Sequence, residues 1–404
     1  LKTNFVRGYL FLAFLLGSAE VKNLGITFFQ GMIYFQIFHF KTGLSFMELS
    51  RIVIGAMRFK DRKSAIEIIR FAIDCGFNYI DTSPCYCYKS ETENSEAWVG
   101  EAVNHPDYRD RVLVSTKCSA GDGGLGLGPF NPQGGFGVRS REEFRQVFNQ
   151  SLTRMNLPAV DYYHLWTTHT TEQFDAAMKA GSWYDGLMAQ KDKWKHMGIT
   201  THGDAKTISS FLESGKFATV TLPLNVINAT RVEVVDYCAT KGIRVIAMNP
   251  LAGGFLAAHA RLKELALRYL LTFPNVHILI GFSTVDEVKY AKKTLDTASD
   301  YRRTREQIIA EVDGLINATE PRCTACGYCA PCPQSINLGA CLSYYNIYHY
   351  MHLAQAKKSF LQNQWNDTLK LDRCSACGLC EKRCPNQLPL KKIIAEARQL
   401  LYSA

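Results

Sequence analysis

Eight short runs rich in β-branched residues, each followed by a longer stretch of helical periodicity, fill the chain from Ser50 to about residue 300. That alternation restricts the fold more than any other feature, because it builds βαβ units around a parallel sheet. The runs are RIVIGA, FNYID, RVLVSTK, VDYYHLW, HMGIT, ATVTLPL, IRVIAM and VHILIG, and eight units is the number that closes a TIM barrel. The stretches between them read as outer helices. KSAIEIIRFAIDCG, for example, has apolar residues at i, i+3, i+4 and i+7 and stops at a glycine. A doubly wound sheet would want G-x-G-x-x-G after an early strand, and IGAMRFKD has no such loop. The expected fold class is α/β, a (β/α)8 TIM barrel.

A chain of 404 residues exceeds one core of ordinary size, so a smaller module is expected beside the barrel. The glycines of GDGGLGLGPFNPQGGFG, Gly121 to Gly137, follow the third run and read as a long βα loop at the barrel rim. DYRRTREQIIAEVDGLINA reads as a connecting helix. The expected organisation is an N-terminal extension over 1–40, a barrel over 41–300, the connecting helix over 301–318 and a cysteine-rich module over 319–404. Hydrophobic content of 47%, charged content of 21% and a net charge of +9 without a long basic run describe an ordinary globular chain and do not call for nucleic acid.

Of fourteen cysteines, eight fall in two runs near the C-terminus. CTACGYCAPCP holds Cys323, Cys326, Cys329 and Cys332; CSACGLCEKRCP holds Cys374, Cys377, Cys380 and Cys384, in the C-x2-C-x2-C-x3-C-P form of bacterial ferredoxins. In that arrangement three thiolates of one run wrap a Fe4S4 cube and the remote cysteine of the other run completes it. One cluster is therefore assigned to Cys323, Cys326, Cys329 and Cys384, the other to Cys374, Cys377, Cys380 and Cys332. Structural zinc is the competing use of paired C-x2-C motifs, but zinc gives no reason for the reciprocal Cys-Pro endings. The spacer NLGACLSYYNIYHYMHLAQAKKSFLQ reads as helical, with Cys341 as a core thiol.

The first twenty residues, LKTNFVRGYLFLAFLLGSAE, have a basic start, an apolar stretch and a small-x-small ending at Gly17 and Ala19, which alone reads as a signal peptide. Two iron-sulfur clusters instead point to a reducing compartment, and the expectation is cytoplasmic, with the status of residues 1–40 left open. No stretch reaches the ~18 to 20 apolar residues of a spanning helix, so no membrane partner is expected.

In the barrel, Asp81 ends the second run, Tyr86 follows it and Lys117 ends the third. Catalytic groups of this fold come from strand C-terminal ends. A lysine beside a phenol lowers its pKa, and an aspartate holds the lysine charged, giving a proton donor usable near neutral pH.

Over most of residues 41–296 the chain resembles the aldo-keto reductases, through KTGLSFMELSRIVIGAMRF, GFNYIDTSPCY, VLVSTK and VIAMNPLAGGFL. With the cysteine runs it is similar to the iron-sulfur aldo-keto reductases, in which such a barrel is fused to a ferredoxin-like tail. The resemblance implies Asp81, Tyr86 and Lys117 as catalytic residues and puts Trp166 where the family has a histidine. An indole N–H donates a hydrogen bond but does not titrate. His164, two residues earlier and about 6.7 Å further down the barrel, reads as a core histidine, with His169 and His202 as alternative replacements.

For a nicotinamide cofactor, NAD(H) or NADP(H), the resemblance implies Thr200, Thr201, Thr221 and Met248 around the ring, and Gly281, Ser283 and Thr284 at an anion site. Thr284 and Glu287 also spell a capping box, and Asp286 and Glu287 would repel a 2′-phosphate. Cys85, Cys87 and Cys118 surround the site at spacings that fit no standard metal centre. The functional expectation is an oxidoreductase that interconverts a carbonyl and an alcohol on a small-molecule substrate, while the clusters exchange electrons with a redox partner protein. Two other readings stand beside it, an electron-transfer subunit whose barrel is a scaffold, and a redox-neutral lyase or isomerase.

Overall fold

The computed structural model describes residues 26–29, 32–35, 47–121, 137–316, 322–325, 329–384 and 386–403. Cys326, Pro385, most of the glycine-rich loop and most of the N-terminal extension lie outside the described residues. Leu1–Glu48 and Leu49–Ala404 are two compact units. In the first, strands β1 (Ile26–Phe29) and β2 (Met32–Phe35) pair antiparallel, with Ile26 opposite Phe35.

In the second unit all eight sequence runs are strands. They are β3 (Ile52–Gly55), β4 (Tyr79–Asp81), β5 (Leu113–Ala120), β7 (Val160–Trp166), β8 (Trp194–Thr200), β9 (Thr219–Pro223), β10 (Arg244–Met248) and β11 (Val276–Gly281). Every neighbouring pair is parallel, and the pairings β11–β3, β3–β4 and β4–β5 close the sheet into a (β/α)8 barrel. A short extra strand, β6 (Gly137–Val138), extends the sheet beside Ser119 and Ala120.

Burial on both faces explains why the strands read as near-continuous apolar runs: β7 is buried at every position. The outer helices start on side-chain caps. Asp61 and Ser64 form a reciprocal capping box for the helix Arg62–Asp74, whose five buried residues, Ala65, Ile68, Ile69, Ala72 and Ile73, face the sheet. Inside the barrel the residues stack in layers. Val53, Tyr79, Tyr162 and Ile246 make an apolar cluster. One residue pair further toward the strand C-termini the filling turns polar. His164 bonds the Tyr79 hydroxyl (3.2 Å), Thr219 Oγ1 (3.2 Å) and Thr200 Oγ1 (3.1 Å).

The connecting helix spans Arg305–Leu315, starts on a Thr304–Gln307 capping box and is tied to the barrel by the Arg261–Glu311 ion pair (2.6 Å). The spacer between the cysteine runs is helical as read. It forms Leu338–Met351 and Ala354–Gln362, separated where His352 turns left-handed (φ 53°). The helix Leu390–Tyr402 closes the module, burying Leu390, Ile393, Ile394, Ala397 and Leu401. Among the described residues no helix is long and apolar enough to cross a membrane.

The module rests on the loop after β10. Gly253 is left-handed (φ +68°), and a Cβ there would meet the Thr324 carbonyl oxygen at 2.4 Å, so only glycine lets the two backbones approach. Asn249 Nδ2 donates to the same carbonyl (3.2 Å), and Phe255 meets Tyr350 edge to face at 6.4 Å.

Candidate functional site

Asp81, Lys117, Trp166, Thr200, Thr221 and Met248 all stand at or near the C-terminal ends of barrel strands. Strand register lines them up: Trp166 is paired with Thr200, and Thr200 with Thr221. Asp81 and Lys117 are 3% and 1% exposed and form an ion pair through Asp81 Oδ2 and Lys117 Nζ. Two charges taken this far out of water persist only because each satisfies the other. Tyr86 enters from the loop after β4. The Lys117 ammonium lies 4.9 Å from the centroid of its ring, and the Trp166 indole meets that ring edge to face at 6.3 Å and 80°.

One expectation about this group fails. Lys117 was to lower the Tyr86 pKa; instead burial, then the negative field of Asp81, then Cys85 and Cys87, push it well above the ordinary phenol value. The ammonium is committed to Asp81 and lies over the ring, so burial and the negative field of Asp81 set the direction of the shift. Tyr86 is therefore held in its neutral, protonated form.

His164 is a core histidine. Its ring makes the three hydrogen bonds given above, and burial followed by the charge of Lys117 lowers its pKa to about 3. The thiols near the mouth are not activated. Burial pushes Cys85 up to about 11 and Cys118 up to about 12, and Cys118 is packed against the Trp183 indole N–H (3.2 Å).

The groups assigned to a nicotinamide are partly engaged. Thr200 Oγ1 bonds His164, and Thr201 Oγ1 accepts from the Gly203 N–H (3.0 Å). Thr221 Oγ1 is buried and has no partner among the described residues, and Met248 is half-buried at the mouth. At the anion end Thr284 caps the helix Val285–Asp296, and the Glu287 carboxylate accepts from the Ser283 N–H (2.7 Å). The Glu287 carboxylate thus occupies a donor that a phosphate would use, in place of the reciprocal capping box expected from the sequence. Arg58 lies across Gly281, where a Cβ would meet its Cγ at 2.6 Å. An unpartnered buried hydroxyl fits the amide end of a nicotinamide; the phosphate end carries its own carboxylate.

In the module, Cys332, Cys374, Cys377 and Cys380, the four thiols assigned to one cluster, line a single cavity together with Cys329. That cavity has no carboxylate in its wall and has Lys391 and Arg398, cations that suit the negative charge of a thiolate-bound iron-sulfur cube. Cys384, assigned to the other cluster, lines a different cleft that it shares with the barrel rim. Asn346 Nδ2 donates to the Cys323 carbonyl (2.7 Å) and fixes that loop. Cys341 is buried as expected, its thiol pushed up to about 12 by burial.

Residues 51–264 match the sequence model of the aldo/keto reductase family. The chain belongs to this family. Residues 322–389 match the model of a 4Fe-4S dicluster domain, so the oxidoreductase barrel is followed by an iron-sulfur module. Among relatives, the chain is 21% identical over 308 residues to the uncharacterized oxidoreductase YqkF of Bacillus subtilis, covering 67% of this chain and 94% of that protein. It is 29% identical over 204 residues to the NADH-specific methylglyoxal reductase of Escherichia coli, 48% of this chain and 59% of that protein. An aldo-keto reductase from Bacillus halodurans, in its holo form, superposes with a TM-score of 0.52 at 20% identity, over 66% of this chain and 93% of the other.

Sequence reasoning missed two groups in this oxidoreductase. Asn249 and Gly253, which hold the module on the barrel, were signalled only by the paired glycines of NPLAGGFL. Arg231, Arg322 and Lys382, which meet in the cleft beside Cys384, are far apart in sequence and carried no signal.

Proposed function

We propose that this oxidoreductase interconverts a carbonyl and an alcohol at the barrel mouth, with a nicotinamide and two 4Fe-4S clusters as its cofactors. The observation that carries the reading is the convergence of a buried Asp81–Lys117 pair on a phenol kept protonated. Tyr86 gives its proton to the substrate oxygen in the reducing direction and takes it back in the other. The Lys117 charge beside the ring stabilises the phenolate that forms, and Asp81 keeps Lys117 charged. Trp166, against the Tyr86 ring, walls the substrate oxygen and keeps water from it. A bound nicotinamide supplies a hydride, and the clusters supply or accept single electrons from a redox partner protein. Thr221 and Met248 would hold the nicotinamide end. Asp286 and Glu287 disfavour a 2′-phosphate, and the NADH-specific relative agrees with a preference for NADH.

The cluster ligands remain as the sequence assigns them: Cys374, Cys377, Cys380 and Cys332 for one cluster, Cys323, Cys326, Cys329 and Cys384 for the other. The first set lines one cavity, which supports its grouping; Cys329 of the second set borders the same cavity.

The test is Tyr86→Phe in the cluster-loaded protein. A proton donor lost from the transition state lowers kcat by about 10²- to 10⁴-fold, with the visible absorbance of the clusters unchanged. A second reading, an electron-transfer subunit with an idle barrel, draws on the engaged hydroxyls of Thr200 and Thr201 and on Glu287 at the anion end. Under that reading Tyr86→Phe leaves every activity intact.

A further inference from the structure

A cleft of about 780 Å³ opens between the barrel rim and the iron-sulfur module. Its barrel wall begins beside the mouth, because His169 and His202 follow Trp166 and Thr200, two paired strand ends, by three and two residues. The imidazoles meet edge to face at 5.5 Å, and the His202 N–H donates to His169 Nδ1 (2.9 Å). Burial lowers the pKa of both, of His169 to about 4, so they line the cleft as neutral groups. The module wall includes Thr324, Asn386 and Cys384.

Charge in the cleft comes from Arg231, Arg322 and Lys382 against Glu172 and Asp204, a balance of three cations to two carboxylates. The charge of Asp204 reaches Arg231, but the two make no direct ion pair among the described residues. Its guanidinium is 4% exposed, bonds the carbonyls of Gly203 and His202 (2.8 Å each) and makes no ion pair among the described residues. Asp204 spends its oxygens on Thr207, whose N–H (2.8 Å) and hydroxyl (3.1 Å) it accepts as a helix cap. A buried guanidinium held in place by carbonyls, with no carboxylate hydrogen-bonded to it among the described residues, is set up to receive an anion from the cleft.

We propose that the cleft binds a small organic anion, a molecule carrying a carboxylate or a phosphate, with that group on Arg231, Arg322 and Lys382 and its uncharged body toward Trp166 and Thr200. This deepens, and rests on, the oxidoreductase reading above: the bound molecule is the substrate, so the substrate class is an anionic carbonyl or alcohol compound. Because Cys384 is in the wall, the anion lies beside a cluster ligand and its binding is felt there.

The experiment uses the full cluster-loaded chain with glycerol 3-phosphate and succinate as probes and glycerol as the uncharged control. Binding is followed by calorimetry and by the EPR signal of the reduced clusters. At least one anion binds and shifts an EPR feature, glycerol does neither, and the better probe tells phosphate from carboxylate. Lys382→Glu, at an exposed position, weakens the anion in calorimetry by about tenfold or more, and Arg322→Gln weakens it in the same direction. Binding of neither anion overturns the proposal, and so does anion binding that both variants leave unchanged. Tyr86→Phe separates the two levels. If it keeps anion binding while turnover collapses, both readings stand; if turnover is unaffected, the oxidoreductase reading falls and the anion site remains.

Discussion

At the barrel mouth the reactive side chains are held by the fold itself: Lys117 and Asp81 are buried at the ends of adjacent paired strands, and Tyr86 is pinned between the ammonium and an indole. In the module the reactive thiols ride on turns. Cys377 is exposed, Cys374 ends the short helical turn Leu371–Arg373, and Cys380 lies within the next, Leu379–Lys382. The difference teaches where the cofactor enters the stability of each region. A site on strands is preorganised without its ligand, whereas loops that gather thiolates draw folding free energy from the metal they bind.

The largest effect that tests this contrast is loss of a whole cluster. Cys332→Ala and Cys374→Ala should each remove the same cluster, and Cys384→Ala the other, read as iron per chain and as which EPR signal disappears. Hydrogen exchange should then rise around the emptied loops while β5 and β7 stay protected. Opening of the barrel strands along with the loops would erase the distinction between the two regions.

Next in size is the buried ion pair. Lys117→Met leaves the Asp81 carboxylate buried and uncompensated, which costs about 3 to 5 kcal/mol. Adding Asp81→Asn to that variant should recover much of the loss, as measured by urea unfolding. Equal stabilities for the single and double variants would mean that the pair does not hold the mouth together.

The smallest effect is pH-dependent. His164 has a folded pKa of about 3 against about 6.5 unfolded, so its contribution is present above pH ~6.5. As pH falls from there toward 3, the unfolded chain binds a proton that the folded chain does not, and stability drops by up to about 1.4 kcal/mol per pH unit from this group. His164→Gln should show a shallower decline between neutral pH and about pH 5. An identical slope would remove the histidine from the account.

The same contrast explains what could be read in advance. Strand order and the polar mouth follow from local patterns, since period, burial and strand-end position put Asp81, Lys117 and Trp166 together without tertiary knowledge. The cysteine spacing does the same for the thiols of one cavity. Orientation does not follow from such patterns. That Tyr86 is buried beside Asp81, and so keeps a high pKa, depends on how a loop returns over a strand. The sequence spells a capping box that would put Glu287 on the Thr284 N–H, but the carboxylate takes the Ser283 N–H instead, and a cap and a phosphate site use the same residue types. The cleft around Arg231 joins segments more than a hundred residues apart in sequence, and no local pattern records such a meeting.

The central claim is that the barrel still binds a nicotinamide for hydride chemistry. Anaerobic titration of the cluster-loaded protein with NADH and then NADPH, followed by nicotinamide fluorescence, tests it most directly. The account predicts saturable binding of NADH, weaker binding of NADPH, and tighter binding of both in Glu287→Ala, which removes the carboxylate and frees the Ser283 N–H. Absence of binding for either nucleotide, in the native protein and in the variant alike, would contradict it and leave the barrel as a scaffold for the clusters.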